Sequence, residues 1–299
     1  MKDRKHKPLF MWAGGKNKMI KKYLDFLPND FNVYVEPFFG GGALFLWAYE
    51  KNPEATFILN DVNVDIMNIY KSVKNNVEDF TTEVDLLSEE YLKLEKSPAT
   101  KENGIKEFHG RAKYFYDLRH EHAYHYSEWS SIKQAAVLYF LMKTGFNGIW
   151  QINKNTNNRF GTPAGLLNQK DKVYNKEDVY YWSKALKNAI IINEDFSCVE
   201  KYLGSETFLF LDPPYRNSFT QYNVDFDDEE QKRVINLLHL AKSKGTKAFL
   251  SNRDGDDLFF ESLCQYDTIR KFDVTYTAGR RKKTENGFEA KKAREVLIF

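Results

Sequence analysis

Apolar positions along this chain follow two rhythms. Short apolar runs rich in β-branched and aromatic residues occupy 33–36, 56–60, 189–192, 207–211, 247–250, 268–273 and 296–299. Runs of that length predict strands. Apolar residues at helical spacing predict helices over 43–50, 64–73 and 229–242. Strands alternating with helices in this way predict βαβ units on a mainly parallel sheet. From about residue 76 to 186 the rhythm changes. Helical, aromatic segments at 114–118 and 131–143 lead into an Asn- and Gly-rich polar stretch, 147–172, without a regular period. We read 76–186 as a mainly helical domain inserted into an α/β domain made of 1–75 and 187–299. A long irregular stretch in a compact protein commonly serves binding. The Asn286-Gly287 pair predicts a turn before the last strand.

With 299 residues, the chain is long enough for one large domain or one domain with an insertion. Its 24 Phe, 18 Tyr and 5 Trp supply a sizeable core. No apolar run approaches the roughly 20 residues of a membrane-spanning helix, and the basic N-terminal segment lacks the apolar stretch of a signal peptide. The two cysteines, Cys198 and Cys264, are far apart, so no disulfide framework is expected and a reducing cytoplasm is. Net charge is only +2, but it is unevenly placed. Residues 1–22 carry eight Lys/Arg against Asp3, and 279–294 carry seven against Glu285 and Glu289. Such ends form either a patch for a polyanion or a pair of solvated tails.

Two strings carry chemistry. In Val33-Tyr-Val-Glu-Pro-Phe-Phe-Gly-Gly-Gly-Ala43 a strand ends in an acid and turns through glycines into a helix. Glycines there let a ligand approach the backbone near the strand's carboxyl end. Asp61 follows Gly40 by 21 residues, at the end of the next strand, where a carboxylate can take two ribose hydroxyls. The pair fits an adenosine-containing cofactor, although a glycine turn that only packs a helix on a sheet would leave the same string. The second string, Asp212-Pro-Pro-Tyr215, follows the run at 207–211. Its prolines stop the strand and stiffen the chain. An aromatic exocyclic amine is a poor nucleophile, because its lone pair is delocalised into the ring. Accepting its two hydrogens on the Asp212 carboxylate and the Pro213 carbonyl would return that lone pair to nitrogen, with Pro214 holding the turn and Tyr215 stacking on the base.

With these strings in order, the chain resembles the Dam family of DNA adenine-N6 methyltransferases, the D12 type with the DPPY motif. The likeness covers nearly the whole sequence. It rests on Trp12-Ala-Gly-Gly-Lys16, Glu36-Pro-Phe-Phe-Gly-Gly-Gly42, Asn60-Asp61, Gly145-Phe-Asn-Gly148, Asp212-Pro-Pro-Tyr215, Leu250-Ser-Asn252, and Asn286-Gly287 with Lys291-Lys292. The resemblance implies a Rossmann-like fold that uses S-adenosyl-L-methionine, with an inserted, mainly helical target-recognition domain. The partner it implies is double-stranded DNA, in the cytoplasm of a bacterial or phage-infected cell. No membrane and no obligate protein partner are implied. Trp12 and Lys16 would contact the cofactor, Lys16 at its carboxylate. Glu36, Pro37, Phe38, Phe39, Gly40 and Gly42 would form the loop that holds its methionine end. Asp61 would take the ribose, Asp195 and Phe196 the adenine, and Asp212 would stand between cofactor and target amine. Phe146, Asn147 and Gly148 would enter the DNA stack. Ile149, Gln151, Asn153 and Pro163 would face the duplex, and Arg280 and Arg281 its phosphates.

Two positions depart from the family pattern. Met11 stands where members often have Lys, and Gln151 where they commonly have Arg. Arg pairs best with guanine and Gln with adenine, so both bear on GATC, the family's common target. The rival readings are a cytosine-N4 methyltransferase, an enzyme acting on an RNA base or protein glutamine, and a DNA-binding relative without catalysis. His120, His122 and His125 do not share a helix face and read as surface or packing residues, with no metal expected. Tyr114, Phe115, Tyr116, Tyr139 and Phe140 read as core, and both cysteines as buried structural thiols.

Overall fold

A computed structural model describes residues 6–12, 17–96, 100–102, 105–216, 226–276, 282–284, 287–289 and 291–299. Seven strands form the central sheet: β1 (Val33–Glu36), β2 (Thr56–Asn60), β3 (Ala189–Ile192), β4 (Thr207–Leu211), β5 (Lys247–Arg253), β6 (Ile269–Tyr276) and β7 (Lys291–Ile298). Their spatial order is β6-β7-β5-β4-β1-β2-β3, and every neighbouring pair is parallel except those made by β7. The order reverses beside β1, which pairs with β2 on one side and β4 on the other. In open α/β sheets, ligands bind at the carboxyl ends of the strands at such a reversal.

Nine α-helices are described: α1 (Asn17–Tyr23), α2 (Ala43–Lys51), α3 (Val64–Asn75), α4 (Val77–Lys93), α5 (Gly110–Tyr124), α6 (Ser131–Thr144), α7 (Lys176–Ala185), α8 (Asp228–Ser243) and α9 (Phe259–Leu263). None is long and apolar enough to cross a membrane. The sheet is covered on both faces. Tyr34, Phe57, Phe208 and Phe249 point into one core, shared with α2, α3 and α6. Val35, Ile58, Leu209 and Leu250 point into the other, closed by α8. Two buried faces explain why the inner strands are unbroken apolar runs rather than alternating ones.

The segment 76–186 contains α4 to α7 and little strand. α6 is buried nearly all round, from Ala135 to Met142, and packs on both α3 and α4. The polar stretch after it has little regular structure to satisfy its carbonyls. Arginine side chains satisfy some of them. Arg111 donates to the carbonyls of Leu92, Leu94, Leu167 and Gln169, and Arg119 to those of Gly161 and Thr162. The expected core aromatics pack accordingly: Phe115, Tyr139 and Phe140 are buried, and Tyr114 lies 6.0 Å from Phe140.

Several elements differ from the sequence expectation. The strands expected at 247–250, 268–273 and 296–299 run longer, because polar and charged residues continue them along the sheet. The helix expected at 114–118 is the middle of α5, and α4, at 17 residues the longest described helix, has no separate sequence counterpart. Its buried stripe of Phe80, Thr81, Val84, Ser88 and Tyr91 is interrupted by hydroxyl residues, which weakens the apolar period.

Candidate active site

β1 delivers Glu36 to the carboxyl edge of the sheet, and the chain turns there through Gly40 (φ +47) and Gly42 (φ +61). These left-handed conformations favour glycine. The space does too. A Cβ on Gly40 would sit 2.5 Å from Nε1 of Trp12, and one on Gly42 would sit 2.7 Å from both Phe39 and Trp182. Trp12 therefore lies directly on the turn. The turn is tied to β2: the Gly40 amide donates to Asp61 Oδ2 at 2.8 Å, and the Phe39 amide to the Asn60 carbonyl at 2.9 Å. Asn60 reaches both neighbours, donating to the Pro37 carbonyl at 3.1 Å and accepting from the Glu194 amide at 3.0 Å. Tyr70 of α3 donates to the Gly40 carbonyl at 2.9 Å from below.

Asp61 also accepts the Asn63 amide at 2.9 Å. Burial pushes its carboxyl group up to about 6, against those two amides. Glu36 is more deeply buried. Burial holds it well above the ordinary carboxylate range, opposed by a 2.7 Å bond from the Tyr34 hydroxyl and reinforced by the charges of Asp212 and Asp61. The Phe45 amide also donates to it, so Glu36 helps cap α2, whose N-cap Gly42 has no side chain to do so. The charges of Asp61 and Asp212, at the ends of β2 and β4, thus both bear on Glu36 at the end of β1.

Beside β3, Phe196 packs 5.1 Å from Phe38, and Phe226 closes on both at 6.4 and 5.8 Å. Asp195 accepts from the Ser197 amide and hydroxyl and from Arg233. Burial raises its carboxyl group, but these bonds outweigh burial and lower it. The Arg233 guanidinium also lies over the Phe196 ring at 4.6 Å.

Across β1, residues 212–215 leave β4 under tight control. Gln231 of α8 donates to the Pro214 carbonyl at 2.8 Å, and Asn252 of β5 donates to Gln231 at 3.0 Å. Pro213 is buried, and Asp212 is half-buried. Arg216 forks onto both oxygens of Asp228 and reaches Asp257, anchoring the end of the motif.

Residues 146–163 present another exposed face. Phe146 is 50% exposed at a turn whose Asn147 (φ 54) and Gly148 (φ 60) are left-handed. The Phe146 amide donates to the Pro163 carbonyl at 2.8 Å, which brings those two residues together. Ile149 is half-buried, whereas Gln151 and Pro163 are exposed beside the ribbon of Ile152–Asn153 and Arg159–Phe160. Asn153 is exposed too, but its carboxamide oxygen accepts the Asn155 amide at 2.9 Å and holds a local turn. Met11, 62% exposed, lies 3.2 Å from where a Gly148 Cβ would be, so the two departures from the family pattern, Met11 and Gln151, flank one turn. Lys16, Arg280 and Arg281 lie outside the described residues.

The remaining histidines scatter. His120 lies tilted against Tyr124 with ring centroids 4.6 Å apart, His125 pairs with Glu128 at 3.0 Å, and His122 is buried with neither ring nitrogen bonded among the described residues. Cys264 is buried and Cys198 half-buried. His239, Cys264 and Asp267 do come together, but the Lys242 ammonium already pairs with Asp267 there. Sequence reading missed Tyr70, Phe226, Gln231 and Arg233, since each acts through a partner far along the chain. Phe226 is followed by the acidic start of α8, and that was the one available signal.

An open, mostly parallel sheet with a glycine turn and acid on one side of β1 and an Asp-Pro-Pro-Tyr turn on the other is an α/β architecture of the methyltransferase type. The model of the D12 class N6 adenine-specific DNA methyltransferases matches residues 12–282, and the chain belongs to that family. It is 32% identical over 276 residues to the type II methyltransferase M.MjaIII of Methanocaldococcus jannaschii, covering 89% of this chain and 90% of that one. It is 32% identical over 244 residues to M.CviBI of Paramecium bursaria Chlorella virus NC1A, 80% of each. To the DNA adenine methylase of Escherichia coli it is 22% identical over 302 residues, 99% of this chain and 96% of that one.

Proposed function

We propose that this adenine-specific DNA methyltransferase takes its methyl group from S-adenosyl-L-methionine and places it on an adenine rotated out of a short duplex site. One observation carries the reading. The glycine turn with Asp61 and the Asp212 turn lie on opposite sides of β1, close enough that Asp212 and Asp61 both raise Glu36. A cofactor and a base can therefore meet over one strand end.

The residues fit such a cofactor. The bare glycines let Trp12 pack directly on the turn, Asp61 offers a carboxylate beside it, and Phe38, Phe196 and Phe226 form an aromatic wall for a purine. When bound, S-adenosyl-L-methionine supplies a sulfonium-activated methyl group. Asp61 accepts from the ribose, Trp12 covers the glycine turn, and Phe196 lies against the adenine, with Asp195 at its edge. Asp212 and the Pro213 carbonyl hold the two hydrogens of the target amine and direct its lone pair outward. Tyr215 stacks on the base, which offsets part of the few kcal/mol that unstacking costs. Holding amine and methyl in line supplies much of the rate, and the proton leaves through Asp212 or to water.

In this reading, 1–75 with 187–299 is the catalytic domain and 76–186 reads the target, with Phe146, Asn147 and Gly148 at the stack. GATC is the first site to test, with the base facing Gln151 the first position to differ. The decisive experiment incubates the chain with DNA and methyl-labelled cofactor and then separates the modified nucleosides. Label in N6-methyladenine supports the reading. Label in N4-methylcytosine would overturn the target, and no heat of binding on titrating the cofactor would overturn the site.

A further inference from the structure

Glu295 lies on β7, the strand that runs against the rest of the sheet, and is only 2% exposed. It stands in register with Arg253 of β5 and Phe272 of β6, on the same side of the strand as Leu297 and its core. A carboxyl group in such a place is costly unless its oxygens are occupied, and an apolar residue of similar size would pack there at no such cost. Here both oxygens are occupied, by hydroxyls from two other elements. Tyr215 donates to Oε1 at 2.9 Å, and Tyr23 of α1 to Oε2 at 3.2 Å. The Tyr23 hydroxyl also lies 2.9 Å from Ser251 Oγ on β5.

The backbone of the 212–215 turn is already secured by Gln231 and Arg216. Those bonds fix where Tyr215 begins but not where its ring points. The hydroxyl is the far end of that ring, and a bond there sets its tilt. Tyr23 belongs to the helix that opens directly after Trp12-Ala-Gly-Gly-Lys16, so one carboxyl group joins both ends of the site.

We propose that Glu295 is a positioning residue for methyl transfer: it holds the Tyr215 ring, through its hydroxyl, in the plane against which the target base stacks. The base plane in turn fixes the line along which the Asp212-held amine approaches the methyl group. This rests on the roles proposed above for residues 212–215.

The test is a cycle of Tyr215→Phe, Glu295→Leu, which removes the acceptor, and the double variant, with Tyr215→Ala alongside. Each is assayed for kcat and KM on a duplex site, for 2-aminopurine fluorescence at the target position, and for thermal melting. Both single variants should lose about 10-fold in kcat with little change in KM for the cofactor, as expected for small misplacement of reacting groups. The double variant should lose about the same 10-fold, because both changes break one bond. Fluorescence of the flipped base should rise as its stacking loosens, an effect that a purely structural role for Glu295 would not produce. Near-normal turnover by Tyr215→Phe overturns the inference, as does a roughly 100-fold, additive loss in the double variant. If Tyr215→Ala is impaired while Tyr215→Phe is not, only the role of Glu295 fails. If Tyr215→Ala also turns over normally, the stacking role of Tyr215 fails with it. Should Glu295→Leu not fold, Glu295→Asp, one methylene shorter, takes its place in the cycle.

Discussion

Asp61 shows how much a single side chain can do here. One oxygen fixes the glycine turn through Gly40 and the other receives the Asn63 amide, so the same carboxylate shapes the loop and borders the proposed ribose site. Its carboxyl group is pushed up to about 6, so the ionised acceptor is fully formed only above that pH. Affinity for S-adenosyl-L-methionine should therefore be flat above about pH 7 and fall as pH drops through 6. Asp61→Ala should weaken binding about 10- to 150-fold, the worth of a hydrogen bond to a charged group, while turnover at saturating cofactor changes far less. Calorimetry across that range checks both; an affinity that ignores pH and the substitution would move the ribose elsewhere. Asp212→Ala belongs to the other side of β1 and should behave differently. Turnover should drop at least about 100-fold with cofactor affinity nearly kept, and near-normal methylation by that variant would sink its assignment. These acids and the glycines were legible in the sequence because each chemistry-bearing group sits in an unbroken string at a strand end. Phe226 and Arg233 were not, because only folding carries them to Phe196.

Elements were legible in proportion to their burial. β1, β2 and β4 are apolar runs enclosed between two cores, and sequence and structure agree on their limits. β7 begins with Lys291 and Lys292 at the margin of the sheet, where charged residues can extend a strand without a hydrophobic signature. α5 is the converse case. It is exposed along much of its length, yet buries His122 without a partner for either ring nitrogen among the described residues. Burial first, and the Arg159 charge second, lower that imidazole from 6.5 to about 3. The unfolded chain takes up a proton below pH 6.5 and the folded chain does not until about 3. Stability is thus fully present above 6.5 and should be lost as pH falls through that window, by up to about 1.4 kcal/mol per pH unit. His122→Leu should lose less stability between neutral and mildly acid pH than wild type does. Urea unfolding of both proteins at the two pH values gives the comparison, and equal losses would show that His122 does not titrate on unfolding.

At the scale of the whole molecule, chemistry and base reading are proposed to occupy different parts of a chain whose 76–186 segment shares a core with the sheet. α3 starts beside Asp61, and its Asp65 accepts from Tyr126 at 3.0 Å and lies 3.6 Å from Arg159, which opens the second strand of the 152–160 ribbon. The ribbon is therefore held from the α3 side, while Gln151 and Pro163 beside it are exposed. Gln151 is one of these, exposed, with its carbonyl taken by Gly161 at 2.7 Å so that the backbone is fixed and the side chain projects from a rigid base. A well-made bidentate contact discriminates between bases by about 1–3 kcal/mol. Gln151→Ala should accordingly relax preference at one base pair, by about 5- to 150-fold on that scale, and leave maximal turnover on the best site unchanged. Gln151→Arg should move preference at the same position toward guanine, since the guanidinium fork matches guanine O6 and N7. Methylation of a randomised duplex library by wild type and both variants, read out by sequencing the modified sites, tests this directly. Three identical site profiles would mean that Gln151 reads no base. A fall in turnover on every site would mean instead that the ribbon and the catalytic edge act as one unit, and that the separation of reading from chemistry is wrong.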